Sequence, residues 1–381
     1  MSRAEYLLAA LVLRVVGTLC SVLPVRRRRV VLATARLPIL EGNLLYLDRA
    51  IRRLRPGTEV VHLLEPYAYG LRGKVLYFLR LVRGMYYLRT SGLVVVDNAW
   101  LPVHVAPHRP ETTVVQVWHA AGALKRFGAD TLAGLEEPER SFLHRNYDFA
   151  IASGEAGREP WSRALRTPLE RVLPLGTPRT DFFFDEAALE AARAGVLARH
   201  RQLAGRRVVL YAPTFRGRGR DKVGATALDG ARLRAALPAG DVLVIKSHPN
   251  LDPTGVEVAG FDVVADPGSD MNEWLAAADI LVTDYSSSIY EWALLRRPLV
   301  LLVDDLEAYE RDPGLYLDYR MEMVGVQARD TDEVAAAILS DHWDLTGYEA
   351  FIERNAGACD GHASERFVER FLPRRVARPR G

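Results

Sequence analysis

The chain has 381 residues and a mass of 42.5 kDa, a length typical of about two domains. Hydrophobic residues make up 49% and charged residues 26%, which excludes a fully disordered chain. The 50 basic and 48 acidic residues nearly balance, and this excludes a general nucleic-acid coat protein. The charge is uneven, because residues 1–55 carry a net +8 and the rest of the chain a net −6.

Residues 6–25 form an apolar segment almost long enough to cross a bilayer. Arg14 lies in its middle, and a central arginine costs about 2.5–3.5 kcal/mol on insertion scales. Pro24 and a basic collar, Arg26 to Arg29, follow the segment, whereas a signal peptide carries its charges before the apolar run. We expect residues 1–28 to form a membrane-associated helix that lies on an anionic inner leaflet. A buried helix of the globular body and a true span are the alternatives.

The rest of the chain alternates between β-branched apolar runs and helical periodicity, which predicts parallel α/β sheets. Helices are expected around 44–54, 71–90 and 185–203. Strands are expected at 29–34, 58–64, 92–97, 112–118, 147–153, 207–213, 241–247, 261–266, 279–284 and 298–303. The pattern predicts two domains, at 29–184 and 185–345, followed by C-terminal helices and a basic tail at 346–381.

The two cysteines, Cys20 and Cys359, lie far apart in sequence, which excludes a disulfide framework and a Cys-based zinc site. A reducing cytosol is the simplest environment for such a chain. The sequence contains no HExxH motif, EF-hand loop or Walker A motif, and we interpret Asp304-Asp305 as a solvated loop. We therefore expect neither a metal nor a cofactor.

Two histidines follow predicted strands, where ligands bind in open α/β sheets. His119 ends the strand at 112–118, and a histidine there can act as a general base because its ordinary pKa is near 6.5. An ordinary buried histidine is the alternative. His248 ends the strand at 241–247, after Lys246, and Asn250 can cap the segment that follows.

Candidate phosphate ligands also lie at strand ends. Thr214 and Arg216 follow the strand at 207–213, and a guanidinium offers paired donors to phosphate oxygens. We expect Arg218 and Arg220 to be solvated loop residues. Hydroxyls and amides at the start of a helix can bind an anion, although a simple helix cap is the alternative. Such a cluster follows the strand at 279–284: Thr283, Asp284, Ser286, Ser287 and Ser288.

Together these segments resemble the CDP-glycerol glycerophosphotransferase family, the teichoic acid primases and polymerases. The matching segments stand in family order: Gly42-Asn43, WHAAGALKRFG (118–128), LGTPRTD (175–181), YAPTFR, KSHPN, DMNEW through RPLV, and GLYLDY (314–319). The chain departs from the family pattern at Ala120-Ala121-Gly122, where Gly-Thr-Pro is common. This turn borders the reacting groups, and CDP-ribitol users share the same motifs.

The resemblance implies a GT-B fold, with two Rossmann-like domains facing across a cleft and C-terminal helices returning to the first. It implies a peripheral enzyme on the cytoplasmic face of a bacterial membrane. Such an enzyme transfers glycerol phosphate from CDP-glycerol to a hydroxyl of an undecaprenyl-linked saccharide or growing chain and releases CMP. The alternatives are a CDP-ribitol enzyme of this family, a GT-B glycosyltransferase and a non-catalytic membrane-associated binding protein. Nucleic acid is not an expected partner.

The resemblance also implies roles for particular residues. His119 is expected to be the general base for the acceptor hydroxyl, and His248 to contact the transferring phosphate or the departing CMP. The acceptor side is expected to include Gly42, Asn43 and Lys125. The predicted donor and phosphate ligands are Thr214, Arg216, Lys246, Asn250, Thr283, Asp284, Ser286, Ser287 and Ser288.

Overall fold

The computed structural model describes residues 3–66, 70–131, 143–216, 223–224, 227–248 and 257–373. The chain divides into two compact units. Unit 1 comprises Met1–Asp181 and Asn355–Gly381, and unit 2 comprises Phe182–Arg354. The chain therefore passes from one unit to the other three residues before the predicted boundary, and it returns after residue 354 rather than after residue 345.

Unit 1 contains a parallel sheet of six strands in the order β2-β1-β3-β4-β5-β6. Its strands are β1 (Arg26–Thr34), β2 (Glu59–Leu64), β3 (Ser91–Val96), β4 (Thr113–Gln116), β5 (Phe149–Ile151) and β6 (Val172–Leu173). Its first five helices are α1 (Arg3–Cys20), α2 (Gly42–Leu54), α3 (Gly70–Thr90), α4 (Leu101–Val105) and α5 (Arg158–Leu165). The central strands are buried on both faces, as their continuous runs of Val and Leu predict.

The N-terminal helix α1 packs against α3 in unit 1. Ala9, Ala10 and Leu13 on its inner side are buried, and Arg14 donates from Nε to the carbonyl oxygen of Val105 at 2.8 Å. The arginine that argued against a membrane span therefore bonds to the globular unit. None of the described helices is both long and apolar enough to cross a membrane.

Arg29 was assigned both to the basic collar and to the start of the strand predicted at 29–34, and the structure supports its place in the strand. Its side chain is buried, and it donates to Glu59 Oε1 at 2.9 Å and to Thr90 Oγ1 at 3.1 Å. The strand begins three residues earlier than predicted, at Arg26, so Arg29 lies in its interior rather than at its first position. Arg26, Arg27 and Arg28 are exposed.

Unit 2 contains a second parallel sheet of six strands in the order β11-β10-β7-β12-β13-β14. Its strands are β7 (Arg207–Ala212), β10 (Asp241–Ile245), β11 (Val263–Val264), β12 (Ile280–Thr283), β13 (Leu299–Leu302) and β14 (Val326–Ala328). A separate antiparallel pair is formed by β8 (Phe215–Arg216) and β9 (Val223–Gly224). The core lies between this sheet and its helices and includes Leu243, Val282 and Ile338.

The helices after residue 185 alternate with these strands, and the last one packs in unit 1, where it contacts α2. They are α6 (Glu186–Arg199), α7 (Gly230–Ala236), α8 (Met271–Ala277), α9 (Ser288–Leu294), α10 (Leu306–Arg311), α11 (Tyr319–Glu322), α12 (Thr331–Ser340), α13 (Tyr348–Ala356) and α14 (Ala363–Phe371).

All ten predicted strands are confirmed, and the two parallel α/β sheets are those expected of two Rossmann-like domains. Two edge strands, β6 and β14, were not predicted. They have only two and three residues, too few for an apolar pattern to stand out in the sequence.

Candidate functional site

The carboxyl ends of β3 and β4 bring Asp97 and His119 together in unit 1. The two strands are neighbours in parallel register, so the residues that follow them meet at one edge of the sheet. The Nδ1 atom of His119 lies 3.2 Å from the backbone carbonyl oxygen of Asp97. Because a carbonyl oxygen only accepts, Nδ1 carries the proton in this contact and Nε2 is left as the basic nitrogen. This tautomer suits a general base.

The residue before the histidine has an unusual backbone conformation. Trp118 has a φ of +48°, in the left-handed region that costs a non-glycine residue about 1–3 kcal/mol. Its ring stacks on Phe127 with centroids 4.6 Å apart and lies against the His119 ring at 4.4 Å. The His119 ring is thus held on one side by an aromatic face and at Nδ1 by a carbonyl.

Side chains distant in sequence bind the same turn. The buried Asn43 donates from Nδ2 to the carbonyl oxygen of Trp118 at 2.9 Å, and its Oδ1 accepts the backbone N–H of Arg179 at 3.0 Å. Arg179 in turn donates from Nη1 to the carbonyl oxygen of His119 at 2.7 Å. Asn43 was predicted on the acceptor side, and in the structure it is hydrogen-bonded to the backbone of the histidine turn.

The other two predicted acceptor-side residues are Gly42, which directly precedes Asn43, and Lys125, which follows the histidine turn. Gly42 begins α2 with a φ of +54°, a conformation that favours glycine, and a side chain there would meet no atom within 4 Å. Lys125 is half-buried six residues after His119. Their contact with an acceptor stays a prediction.

Asp97 is a buried carboxyl that was not among the predicted site residues, because it lies within the predicted strand at 92–97. Its Oδ1 accepts no hydrogen bond from the described residues. Burial raises its pKa to about 6, against the opposing effects of a hydrogen bond from Thr34 and the charge of Arg36. An ionisable group with a perturbed pKa beside a basic histidine is typical of an active site.

In unit 2, the carboxyl ends of β7 and β12 are joined through Asp284. Its Oδ1 accepts the backbone N–H of Thr214 at 2.9 Å, and its Oδ2 accepts the Thr214 hydroxyl at 2.8 Å. Thr283 adds a second link, because its hydroxyl donates to the carbonyl oxygen of Ala212 at 2.6 Å. Tyr319, from the GLYLDY segment, donates to the carbonyl oxygen of Asp284 at 2.5 Å. These bonds fix the two central strand ends relative to each other.

Arg216 lies between two carboxylates and two aromatic rings. It donates to Asp305 from Nε at 2.7 Å and from Nη2 at 3.1 Å, and to Asp284 from Nη1 at 2.8 Å. Its guanidinium carbon lies 5.2 Å from the Tyr285 ring centroid and 5.1 Å from that of Tyr309. Although burial pushes the pKa of Asp305 upward, the hydrogen bonds and charge of Arg216 bring it below its usual value.

Asp305 was interpreted as part of a solvated loop, and that interpretation is wrong. The side chain is half-buried and paired with Arg216, a contact between residues 89 positions apart that no local pattern reveals. The same contact bears on the predicted role of Arg216 as a phosphate ligand. Its donors are directed to Asp305 and Asp284 in this structure, so its contact with a phosphate, like that of Thr214, stays a prediction.

The remaining predicted donor residues surround these strand ends. The buried Lys246 donates from Nζ to the carbonyl oxygen of Pro267 at 3.1 Å. The half-buried His248 meets the Phe215 ring edge to face, with centroids 5.0 Å apart. Ser286 accepts on its hydroxyl oxygen the backbone N–H of Ser288, the first residue of α9, at 3.2 Å. Ser287 immediately precedes α9, while Asn250, Arg218 and Arg220 lie outside the described residues.

Among the described residues, no group of three or more His, Cys, Asp or Glu side chains is placed to hold a metal ion. The two strand-end sites therefore consist of a histidine with its tautomer fixed in unit 1 and a charged, hydrogen-bonded network in unit 2. Proton transfer is the chemistry available to the first, and binding of a polar, charged ligand suits the second.

Solved structures of other proteins share the fold. A structure of the wall teichoic acid polymerase TagF matches with a TM-score of 0.74 and 18% identity, covering 97% of this chain and 98% of that chain. The UDP-GlcNAc 2-epimerase from Neisseria meningitidis matches with a TM-score of 0.52 and 13% identity, covering 91% of this chain and 100% of that chain. At these identities the likeness establishes the two-sheet architecture.

Relatives identified by sequence indicate the family of the chain. The chain is 32% identical over 366 residues to the teichoic acid ribitol-phosphate primase of Bacillus spizizenii, covering 93% of this chain and 94% of that protein. It is 25% identical over 304 residues to the teichoic acid glycerol-phosphate primase of Bacillus subtilis, covering 77% of each. The profile of the family described as CDP-glycerol:poly(glycerophosphate) glycerophosphotransferase matches residues 16–372. The resemblance that the ordered motifs indicated is confirmed, and the chain belongs to this glycerophosphotransferase family.

Proposed function

We propose that the protein transfers a polyol phosphate from a CDP-polyol to a hydroxyl of a lipid-linked acceptor in teichoic acid synthesis, with release of CMP. The observation that carries the proposal is the contact between His119 Nδ1 and the Asp97 carbonyl oxygen. It leaves Nε2 as a proton acceptor at a strand end in a chain of the glycerophosphotransferase family.

In the proposed reaction the acceptor hydroxyl oxygen attacks the β-phosphorus of the CDP-polyol. His119 Nε2 takes the hydroxyl proton as the new oxygen–phosphorus bond forms. The bond between the β-phosphorus and the bridging oxygen breaks, and CMP leaves with the bonding electrons. Phosphoryl transfer of this kind depends mainly on positioning and on stabilisation of negative charge.

Unit 2 is the proposed donor-binding unit. Asp284 and Arg216 keep the ends of β7 and β12 together, which supports a rigid platform beside His248 and Lys246. We assign His248 to the transferring phosphate or the departing CMP. A CDP-polyol photoprobe is expected to crosslink mainly to residues 182–354.

The donor polyol has two candidates. CDP-glycerol is the donor predicted from the sequence, and the description of the family supports it. CDP-ribitol is supported by the ribitol-phosphate primase relative, because the match covers nearly the whole length of both proteins.

We propose that the protein acts at the cytoplasmic face of the membrane and docks through α1. Leu8 and Leu11 are each 62% exposed on the outer side of this helix, and Leu19 is 67% exposed. Helix α3, which packs against α1, also has exposed apolar side chains, including Leu79. Arg26, Arg27 and Arg28 follow α1 and would contribute about 1 kcal/mol each near anionic lipid. An apolar helix face with a cationic end suits the interface of an anionic bilayer.

The test is a CMP-release assay with purified protein and a lipid-linked disaccharide, with and without a terminal glycerol phosphate, as acceptor. CDP-glycerol, CDP-ribitol and UDP-sugars are supplied in parallel. Release of CMP from one CDP-polyol, dependent on acceptor, supports the proposal and identifies the donor. Release of UDP would support a glycosyltransferase instead, and no turnover with any donor would support a binding protein.

A further inference from the structure

The backbone of the Trp118–His119 turn is held by three side chains, which we call the turn clamp: Asn43, Gln116 and Arg179. Gln116 accepts the N–H of Trp118 on Oε1 at 2.8 Å. Asn43 donates from Nδ2 to the carbonyl oxygens of Val117 at 3.3 Å and Trp118 at 2.9 Å. Arg179 donates to the carbonyl oxygen of His119 at 2.7 Å. The clamp therefore fixes peptide groups on both sides of Trp118.

The clamp residues are also tied to each other and to the partner of His119. The backbone N–H of Arg179 donates to Asn43 Oδ1 at 3.0 Å. Gln116 donates from Nε2 to the carbonyl oxygen of Asn98 at 3.1 Å, one residue after the carbonyl that accepts His119 Nδ1. The turn and the strand end that orients the ring are thus connected by a continuous set of hydrogen bonds.

The amide of Asn43 has little capacity left for a substrate. An asparagine side chain offers two N–H donors and one oxygen, and here both donors reach carbonyl oxygens while the oxygen accepts a backbone N–H. The side chain is 3% exposed, and Gln116 is fully buried. Both residues are better placed to shape the turn than to contact an acceptor.

The turn requires such support because Trp118 occupies a left-handed conformation without being glycine. If the turn relaxed toward ordinary backbone angles, the His119 ring would rotate away from the Asp97 carbonyl. The ring would then lose the contact that sets its tautomer. A shift of about 1 Å at a reacting group can cost on the order of 100-fold in rate.

We propose that Asn43 and Gln116 are positioning residues that fix the orientation and tautomer of His119 through the backbone, and that Asn43 is not an acceptor ligand. The kinetic consequence rests on the proposed function, in which Nε2 of His119 takes a proton. The structural consequence, the Nδ1-protonated tautomer, is independent of any substrate.

The test uses the variant Asn43→Asp in the full-length protein. Aspartate matches the shape of asparagine and still accepts the Arg179 N–H, but it cannot donate to the Val117 and Trp118 carbonyls. We expect kcat to fall roughly 10- to 100-fold with KM for the donor and acceptor changed less than about threefold. The ¹⁵N NMR spectrum of histidine-labelled protein, assigned with His119→Gln, should show the Nδ1–H tautomer in the wild type and a tautomer mixture in the variant.

A second variant and a matched control accompany it. Gln116→Glu keeps an acceptor for the Trp118 N–H but loses the donor to the Asn98 carbonyl. Like Asn43→Asp, it should lower kcat and give a mixture of His119 tautomers. Thr112→Val removes a buried side-chain hydrogen bond to the Ser91 carbonyl at the opposite end of β4. It should lower the unfolding temperature comparably while leaving kcat and the His119 tautomer unchanged.

A tenfold rise in acceptor KM with kcat and tautomer unchanged in Asn43→Asp would make Asn43 an acceptor ligand and overturn the proposal. Changes in kcat and in the His119 tautomer of Asn43→Asp that are no larger than those of Thr112→Val would also overturn the proposal. If Asn43→Asp does not fold, Gln116→Glu decides by the same criteria. If the wild type transfers no polyol phosphate, the proposed function fails, and the NMR comparison alone still supports or overturns the clamp.

Discussion

The Nδ1 atom of His119 and the backbone carbonyl oxygen of Asp97 lie 3.2 Å apart at the ends of two adjacent parallel strands. The contact fixes where the histidine carries its proton, and so which nitrogen can receive one. It also makes the tautomer of His119 depend on the backbone of a residue 22 positions earlier in the chain.

His119→Ala should reduce turnover by at least about 100-fold, because a general base typically contributes about 10²–10⁴-fold. CDP-polyol affinity should change less than twofold, since the proposed donor site lies in unit 2. Steady-state kinetics and isothermal calorimetry would check the two parts separately. Near-normal turnover in the variant would remove His119 from the mechanism.

Asp97 should make the stability of the protein depend on pH. Its folded pKa, about 6, is above the ordinary value of 3.8, so the native state binds more protons than the unfolded state between these values. This contribution to stability is fully present below about pH 4 and is lost as the pH rises through 6. From pH 5 to pH 7.5, the free energy of unfolding should therefore fall by about 1–1.5 kcal/mol more in the wild type than in Asp97→Asn.

Urea unfolding of both proteins at the two pH values measures this difference, and other titrating groups cancel in the comparison. Equal pH dependence in the two proteins would show that the Asp97 carboxyl is not perturbed.

The sequence predicted the sheets well because parallel strands that are buried on both faces leave continuous apolar runs. It also selected His119 and Asp284 as candidates, since both follow such runs directly. It did not identify Gln116 or Asp305 as site residues, because their importance comes from contacts with residues brought close only by the fold. The start of β1 was placed three residues late, at Arg29 instead of Arg26, because a row of four arginines does not reveal where the strand begins.

Arg216→Lys should destabilise unit 2 by about 2–4 kcal/mol and weaken CDP-polyol binding. Lysine cannot form the bidentate contact with Asp305 and also bond to Asp284. It also lacks the planar guanidinium that lies against the rings of Tyr285 and Tyr309. Chemical unfolding and equilibrium binding of the CDP-polyol are the measurements.

Arg207→Lys is the matched control. Arg207 makes a similar bidentate contact with Asp241, at 2.9 Å and 2.8 Å. It lies at the amino end of β7, and the carboxyl end of the same strand leads to Arg216. Its replacement should lower stability by a similar amount without changing donor affinity. If both variants bind CDP-polyol as the wild type does, the network around Arg216 does not support the donor site.

Leu8→Glu combined with Leu11→Glu should reduce binding to vesicles that contain anionic lipid by at least about tenfold, since each exposed leucine would contribute about 1.5–3 kcal/mol on burial. Sedimentation with the vesicles measures the bound fraction. Leu339→Glu replaces an exposed leucine in unit 2 and should bind like the wild type. Unchanged sedimentation of the double variant would exclude this face of α1 as the docking surface.

The most direct test of the central claim is the mass of the lipid-linked acceptor after incubation with the purified protein and a CDP-polyol. We predict that the acceptor gains the mass of a polyol phosphate in step with CMP release, and that His119→Ala abolishes the gain. An acceptor of unchanged mass with both CDP-glycerol and CDP-ribitol, or an equal gain with His119→Ala, would contradict it.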